Sequence, residues 1–428
     1  MRRETPRPQT EPRSPGSALP SGIDPFAPPQ PETGAERPTR RRSSASLRND
    51  AAILDAARAE VDAVGVDNLA MTKVAKRARL TTGALYGRYE TAHELAAAIW
   101  SDLVGPRHLA LLDAVIAGVV DGDSDAFRRV CEVLQSPGPD ERVAIELVAV
   151  AHRIDEVEEV LSQSLSAHFS DWCPENDPLR RARALAAVGT VWGALLHSMP
   201  ARLSIDWTPT LRIVRWACRQ PDPGMVTGTD EVGTRPAYGI RVPSGDPTDD
   251  ALVGSAAAII GRVGLRRATT TRIARRAGLT PGAIYARYPT KEALLERTFG
   301  TVVADWYAAN LDRYRTITTD HDRAGDPEAV AAAFSPLGDE WPAFRIEAQI
   351  AALHNAGLAA ALQAVQDDAQ RSYLAAVHSG SDITGDDATT FARLTHVMPL
   401  GLSMIEVAVP AVGSIEWRRA LAPLERFA

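Results

Sequence analysis

Cysteine is scarce in this 428-residue chain. The three residues, Cys131, Cys173 and Cys218, each lie more than 40 positions from the next. An odd, scattered set excludes a disulfide framework and a metal knuckle, and it suits a reducing compartment. The nine histidines add no metal-ligand spacing, so neither a metal nor a cofactor is expected. Aromatics are only 6% of the chain. No charge of one sign dominates: 47 Lys and Arg stand against 54 Asp and Glu, a net charge of -7, which on the totals argues against a nucleic-acid partner. Long uninterrupted apolar runs are missing too. The uncharged run from Ala184 to Ala201 contains Gly189, Thr190, Gly193, His197, Ser198 and Pro200, and the stretch from Val397 to Ile415 is broken by Pro399, Glu406 and Pro410. Both read as buried helices of a soluble bundle, and no membrane span is predicted. Catalytic motifs are absent as well: there is no G-x-S-x-G, no G-x-x-x-x-G-K and no G-x-G-x-x-G, and His93-Glu94 lacks the second histidine of a zinc-protease helix. An enzyme is not expected.

The hydrophobic content of 45% is ample for a core. Residues 1–46 hold ten of the thirty prolines, with no apolar period, and read as a disordered tail. Arg2 and Arg3 are followed by Glu4 and prolines rather than an apolar run, so neither a signal peptide nor a twin-arginine leader is read there, and a cytoplasmic location is expected. A second breaker-rich segment, 221–247, reads as a linker between two helical halves.

The organising feature is a repeat at a spacing of 199. Leu80-Thr81-Thr82-Gly83-Ala84-Leu85-Tyr86-Gly87-Arg88-Tyr89 falls on Leu279-Thr280-Pro281-Gly282-Ala283-Ile284-Tyr285-Ala286-Arg287-Tyr288, and 65–95 matches 264–294 at 14 of 31 positions without a gap. Upstream, Ile53, Leu54, Ala57, Val61 and Val64 match Leu252, Val253, Ala256, Ile260 and Val263, each set forming one face of an amphipathic helix. Ser204-Ile205-Asp206-Trp207 is echoed by Ser414-Ile415-Glu416-Trp417, now at a spacing of 210. A whole domain reads as written twice.

Within each copy the pattern predicts a first helix closed by Gly65 or Gly264, then a short helix capped by Thr72 or Thr271. A turn with a buried leucine (Leu80 or Leu279) leads to a second short helix opening at Thr81 or Thr280, with Pro281 at its first position. Two short helices behind a stabilising one make a helix-turn-helix. The bland alternative is a hairpin that only packs, with Tyr89 and Tyr288 as core aromatics. The exposed basic residues beside Thr-x-Gly-Ala fit that poorly.

The pattern T-x-x-[VI]-A-x-x-A-x-L-T-x-G-A-[LI]-Y-x-R-Y resembles the DNA-binding domain of the tetracycline-repressor (TetR) family of bacterial transcription regulators, over about 50 residues in each half. The resemblance implies an all-α chain of two tandem units: helix-turn-helix domains at 47–100 and 248–300, and helical regulatory bodies at 101–220 and 301–428. It implies double-stranded DNA as partner and a nucleoid-associated state when bound. Carried over residue by residue, Thr81, Thr82 and Gly83, with Thr280, Pro281 and Gly282, approach the bases. Thr72, Lys73 and Tyr86, with Thr271, Arg272 and Tyr285, reach phosphate. Lys291 stands where the family has a phosphate-binding lysine, which the first copy replaces with Ala92. Arg88 and Arg287 stand where the family often has a histidine and can supply charge. Arg40, Arg41 and Arg42 read either as an arm for the minor groove or as a solvated charge run.

The resemblance further implies a small-molecule effector, of unknown identity, bound among the body helices. The candidate lining is His152, Trp172 and Trp192 in the first half and Trp341, Phe344, His354 and Tyr373 in the second, against the plainer reading of core residues. Family members dimerise through their last two long helices, here about 180–199 with 207–219 and about 386–405 with 415–426. The expected assembly is an intramolecular pseudo-dimer, or else a homodimer, on an imperfect palindrome. A regulatory or adaptor protein with one degenerate helix-turn-helix is the alternative. The acidic total then makes sense: 40–95 carries ten basic and seven acidic residues and 246–297 nine and five, leaving the bodies to hold the negative charge.

Overall fold

The computed structural model describes residues 44–173, 176–200, 205–222, 244–319, 341–380 and 386–408. The proline-rich tail with Arg40–Arg42, most of the linker, and the expected helix at 415–426 lie outside them. Among the described residues every regular element is helical, and those from Ala45 onward form one compact unit.

The first half opens with α1 (Ser44–Val64), α2 (Met71–Arg77) and α3 (Thr82–Tyr86). The stripe read from the sequence is the buried face of α1: Ile53, Ala57 and Val61 are fully enclosed. Next come α4 (Ala92–Ile99), a π turn (Trp100–Val104), α5 (Gly105–Val115) and a second π turn (Ile116–Val120). By length and hydropathy this continuous run from Ala92 to Val120 matches a membrane span, but its apolar side is spent on the interior: Leu95, Ile99, Trp100, Val104 and Leu112 are core residues. The body is completed by α6 (Ser124–Gln135), α7 (Pro139–Val150), α8 (Asp155–Trp172), α9 (Pro178–Ser198) and α10 (Thr208–Cys218).

The second half repeats the order with α11 (Pro247–Arg267), α12 (Thr270–Arg276), α13 (Pro281–Tyr285) and α14 (Lys291–Thr319), which occupies the span 199 positions after Ala92–Val120. It continues with α15 (Trp341–Leu353), α16 (Ala356–Gly380) and α17 (Asp386–Ala408).

The uncharged run read as a buried helix is the core of α9, with Ala184 to Leu196 buried throughout. α9 and α17 form the most extensive helix pair among the described residues. They run antiparallel: a Cβ on Gly193 would meet the Val397 carbonyl, and one on Gly189 would meet Leu402. Small residues at the crossing let the two backbones touch. One apolar core therefore continues from the first helix-turn-helix through the first body into α15 and α17, while a second core fills α11–α16.

Between the halves lies a polar junction. Glu146 of α7 is hydrogen-bonded to His354 at 3.0 Å, and Glu347 of α15 pairs with Arg153 at 2.5 Å. Glu146 and Glu347 stand 201 positions apart, as do Arg153 and His354, so each half presents an acid to the base of the other. The junction also holds the glycines at the ends of the two first helices. Gly65 and Gly264 have φ of 84° and 77°, a left-handed conformation that favours glycine. His354 and Glu146 pack on the first and Arg153 on the second. Arg153 further forms a bidentate pair with Asp67 (2.8 and 3.0 Å), and the Val66 N–H donates to Glu146 Oε1 at 2.7 Å. Directly between the two helix-turn-helix units, the Arg266 guanidinium donates to the Asp67 carbonyl, and Arg267 lies 3.4 Å from His93 Nε2.

Candidate nucleic-acid interface

The two short helix pairs close in the same way. The Leu80 N–H donates to the Ala75 carbonyl and the Leu279 N–H to the Ala274 carbonyl, both at 2.9 Å. That bond spans the turn of a Schellman-type helix end, whose preceding residue needs positive φ. Gly278 meets the need without cost at 70°, whereas Arg79 is held at 57° in the first copy, a strain of roughly 1–2 kcal/mol. Val74 and Leu85, with Ile273 and Ile284, are fully buried and lock each pair onto its first helix.

The N-terminal caps correct the sequence reading. α2 starts at Met71 behind Ala70, which makes no side-chain cap bond, and α12 is capped by Thr269, whose hydroxyl accepts from the Arg272 N–H. Thr72 and Thr271 therefore lie inside the first turn with their side chains exposed. At the next helix, Thr81 Oγ1 accepts from the Ala84 N–H at 3.2 Å, while Thr280 makes no side-chain cap bond. Thr91 caps α4 by accepting from the Glu94 N–H at 3.0 Å, as its spacing predicts.

One exposed face of each pair carries the residues singled out from the sequence. Thr72, Lys73, Thr81, Gly83 and Tyr86 are exposed in the first copy, with Thr82 partly so; Thr271, Arg272, Thr280, Pro281, Gly282 and Tyr285 are exposed in the second. Tyr86 and Tyr285 are 51% and 55% exposed, unusual for large rings, and they occupy equivalent places. Tyr89 and Tyr288 turn inward instead: Tyr288 is buried, and its hydroxyl bonds Asp249 of α11.

Three basic residues of the expected interface are engaged internally. Arg88 binds Asp50 of α1 and donates to the Ala84 carbonyl at 2.9 Å. Arg287 pairs with Asp246 at 2.7 Å and holds its carboxyl below the usual range, helped by the Asp249 and Thr248 N–H groups. Lys291 donates to the Leu265 carbonyl at 3.2 Å, and its half-burial lowers its pKa. These bonds fix each second short helix, and the start of α14, against the first helix.

The two faces differ in charge. In the first copy Glu60 lies 3.3 Å from Lys73 and 3.4 Å from Arg77, neutralising part of the patch. The position 199 residues on is Ile259, so the second copy has no acid there, and Arg272, the counterpart of Lys73, forms no ion pair among the described residues.

The residues read as a ligand lining are dispersed. Trp192 and Phe344 are fully enclosed core residues, and Trp172 donates to Asp113 at 2.8 Å. His152 and His354 belong to the polar junction, His152 lying 3.1 Å from the Gly261 carbonyl. Tyr373 packs at the edge of the larger core, and the Trp341 side chain lies outside the described residues. A cavity of about 300 Å³ opens instead between α14 and α16, around Tyr307. Sequence reasoning missed both this tyrosine and the Glu146/Glu347 exchange. The doublets Ile145-Glu146 and Ile346-Glu347 carry a signal, but at a spacing of 201 rather than 199.

Residues 252–298 match a family model described as bacterial regulatory proteins, tetR family. They run from the buried face of α11 to the first turns of α14, the whole second helix-turn-helix. No curated protein matches the chain.

Proposed function

We propose, from the match of residues 252–298 to the tetR family of bacterial regulatory proteins, that this chain is a DNA-binding transcription regulator of that family and a ligand-responsive repressor. It uses both helix-turn-helix units, 47–100 and 248–300, as an intramolecular pseudo-dimer on one imperfect palindrome. The observation that carries this reading is the crossed pairing of Glu146 with His354 and Glu347 with Arg153, together with the antiparallel α9/α17 pair. Equivalent acids and bases exchanged between two halves are what an isologous subunit interface looks like. Thr81, Thr82 and Gly83, with Thr280, Pro281 and Gly282, face bases in half-sites roughly 34–36 Å apart. Tyr86, Tyr285, Thr72, Lys73, Thr271 and Arg272 face phosphates. Arg88, Arg287 and Lys291 act mainly by holding the helices in place, since contact with phosphate requires them to exchange their present partners. Thr82-Gly83 differs from Pro281-Gly282, so the half-sites are unequal.

Selection of bound sequences from random DNA, followed by footprinting and light scattering, tests the reading. A single chain protecting one short pseudo-palindrome supports it. An obligate two-chain dimer protecting four half-sites overturns it. A second reading, an adaptor whose first helix-turn-helix is degenerate, draws on the Glu60 contacts that blunt Lys73 and Arg77. Reversing Arg272 and Arg275, then separately Lys73 and Lys76, separates the two: the pseudo-dimer loses affinity and salt dependence in both cases, the adaptor only in the first.

A further inference from the structure

Arg345 of α15 is a buried cation among neutral neighbours. Its side chain stacks over Trp306 at 4.7 Å, donates to the His396 carbonyl, and lies 3.1 Å from His396 Nδ1. Burial lowers its pKa only to about 10, so it is charged at neutral pH. His396 is held well below its usual value by burial and the nearby Arg345, and His197, 3.1 Å from it, is lowered to about 3 for the same reasons. Among the described residues no carboxylate pairs with Arg345. A buried charge without a counter-ion is costly, and proteins rarely keep one idle.

The same cluster reaches the cavity between α14 and α16. The Tyr307 hydroxyl lies 2.5 Å from His396 Nδ1, is met by the Gln366 side chain, and belongs to a ring that lines the cavity. The other walls are mostly apolar, Ala304, Ala308, Leu311, Ala364 and Val365 among them, with Ser372 as a polar exception. Thr301, one turn before Ala304 on the same stripe of α14, keeps a buried hydroxyl without a hydrogen-bond partner. Asp368 also lines the cavity, exposed and bridged to Arg371 at 3.2 Å. About 300 Å³ is the lower end of the range for small-molecule sites.

We propose that the second body binds a small organic carboxylate, its acid group drawn toward Tyr307 and Arg345 and its apolar body lying along the alanines of α14 and α16. The inference rests on the effector reading above. It gives one site per chain, because the first half has filled the equivalent space. His108 stands 199 positions before Tyr307 and accepts from Trp192 Nε1 at 2.9 Å, with Trp100 against it; all three are buried. Ala144 stands 201 positions before Arg345.

The test uses the full chain with sodium octanoate and sodium benzoate as probes and octanamide and benzamide as uncharged controls, read by thermal shift and by displacement of selected DNA. Carboxylates are expected to raise the melting temperature at a stoichiometry of one, amides not. Arg345→Met is expected to weaken carboxylate binding by about tenfold or more while leaving the unliganded chain as stable or more so. Tyr307→Phe serves as a milder second variant with a smaller loss. Equal binding of acids and amides, no binding of either acid, or undiminished binding by folded Arg345→Met each overturns the proposal. Carboxylate binding without DNA release leaves the site standing and sinks the effector reading. Release by amides alone does the reverse.

Discussion

The α9/α17 crossing offers a sharp test of how closely the halves are joined, through Gly193→Ala. A Cβ there would lie 1.8 Å from the Val397 carbonyl oxygen and 2.6 Å from its carbon, where real contacts stay above 3.0 Å. The obstacle is backbone, so no rotamer change relieves it, and α9 and α17 must part locally by more than 1 Å. A gap of about 0.5–1 Å already forfeits a quarter to a half of each dispersion contact, and Thr190, Leu400 and Leu402 lie beside the crossing, fully or almost fully buried. Overpacking of this kind costs about 1–3 kcal/mol, and an immovable backbone puts it toward the upper end. Replacing glycine in a helix returns about 1 kcal/mol of intrinsic preference. The net expectation is a loss of about 1–2 kcal/mol. Gly300→Ala is the internal control: it lies within α14 with nothing inside 4 Å of its Cβ position, and a gain of up to about 1 kcal/mol is expected. Guanidinium unfolding of both variants gives the comparison. If Gly193→Ala is as stable as wild type, or gains like Gly300→Ala, the close crossing is refuted.

Arg153→Met leaves the Asp67 and Glu347 carboxylates facing each other without their shared base, at an expected cost of about 3–5 kcal/mol in urea unfolding; a loss under about 1 kcal/mol would mean the junction is solvated. The cap asymmetry predicts that Thr81→Ala costs about 1 kcal/mol and Thr280→Ala almost nothing, since only Thr81 accepts a helix N–H; equal losses would contradict it. Burial lowers His108 to about 4 and depresses His152, His197 and His396 too. Folded values below the unfolded 6.5 mean that the unfolded chain takes up protons first, so stability held above pH 6.5 is lost as pH falls. His108 alone accounts for about 3 kcal/mol by pH 4, and a melting temperature flat from pH 7 to 4.5 would rule this out. His354 has the opposite sign. Burial works to lower its pKa, but the Glu146 bond and charge outweigh it and raise the value. Its contribution is present below pH 6.5 and fades as pH rises through the folded value, so His354→Gln should cost more at pH 6 than at pH 9.

What was legible in the sequence was local. The stripe Ile53, Leu54, Ala57, Val61 and the turn around Leu80 follow from short-range periodicity and turn chemistry, and they recur where expected. The run Ala184–Ala201 announced a buried helix, but its partner α17 was identified only as another apolar helix. The antiparallel contact depends on glycines meeting from positions more than 200 residues apart. The caps were misplaced by two residues because several threonines compete at that boundary and only geometry decides between Thr269 and Thr271. The ligand lining was read from aromatic and histidine content, which does not distinguish Trp192, filling space against His108, from Tyr307, lining it.

Asp67 and Arg266 stand 199 positions apart in the repeat, yet they touch. A contact between equivalent positions is what a two-fold axis brings together, and in a dimer of identical subunits the residue there faces itself. A second copy of the second half would set Arg266 against Arg266 at that place. In this chain the guanidinium meets a backbone carbonyl instead, and the crossed pairs Glu146–His354 and Arg153–Glu347 join the halves on either side of it. Contact between the two halves then does not depend on how many molecules a cell contains. Separate subunits fall apart on dilution; here the covalent chain keeps the partner half at hand.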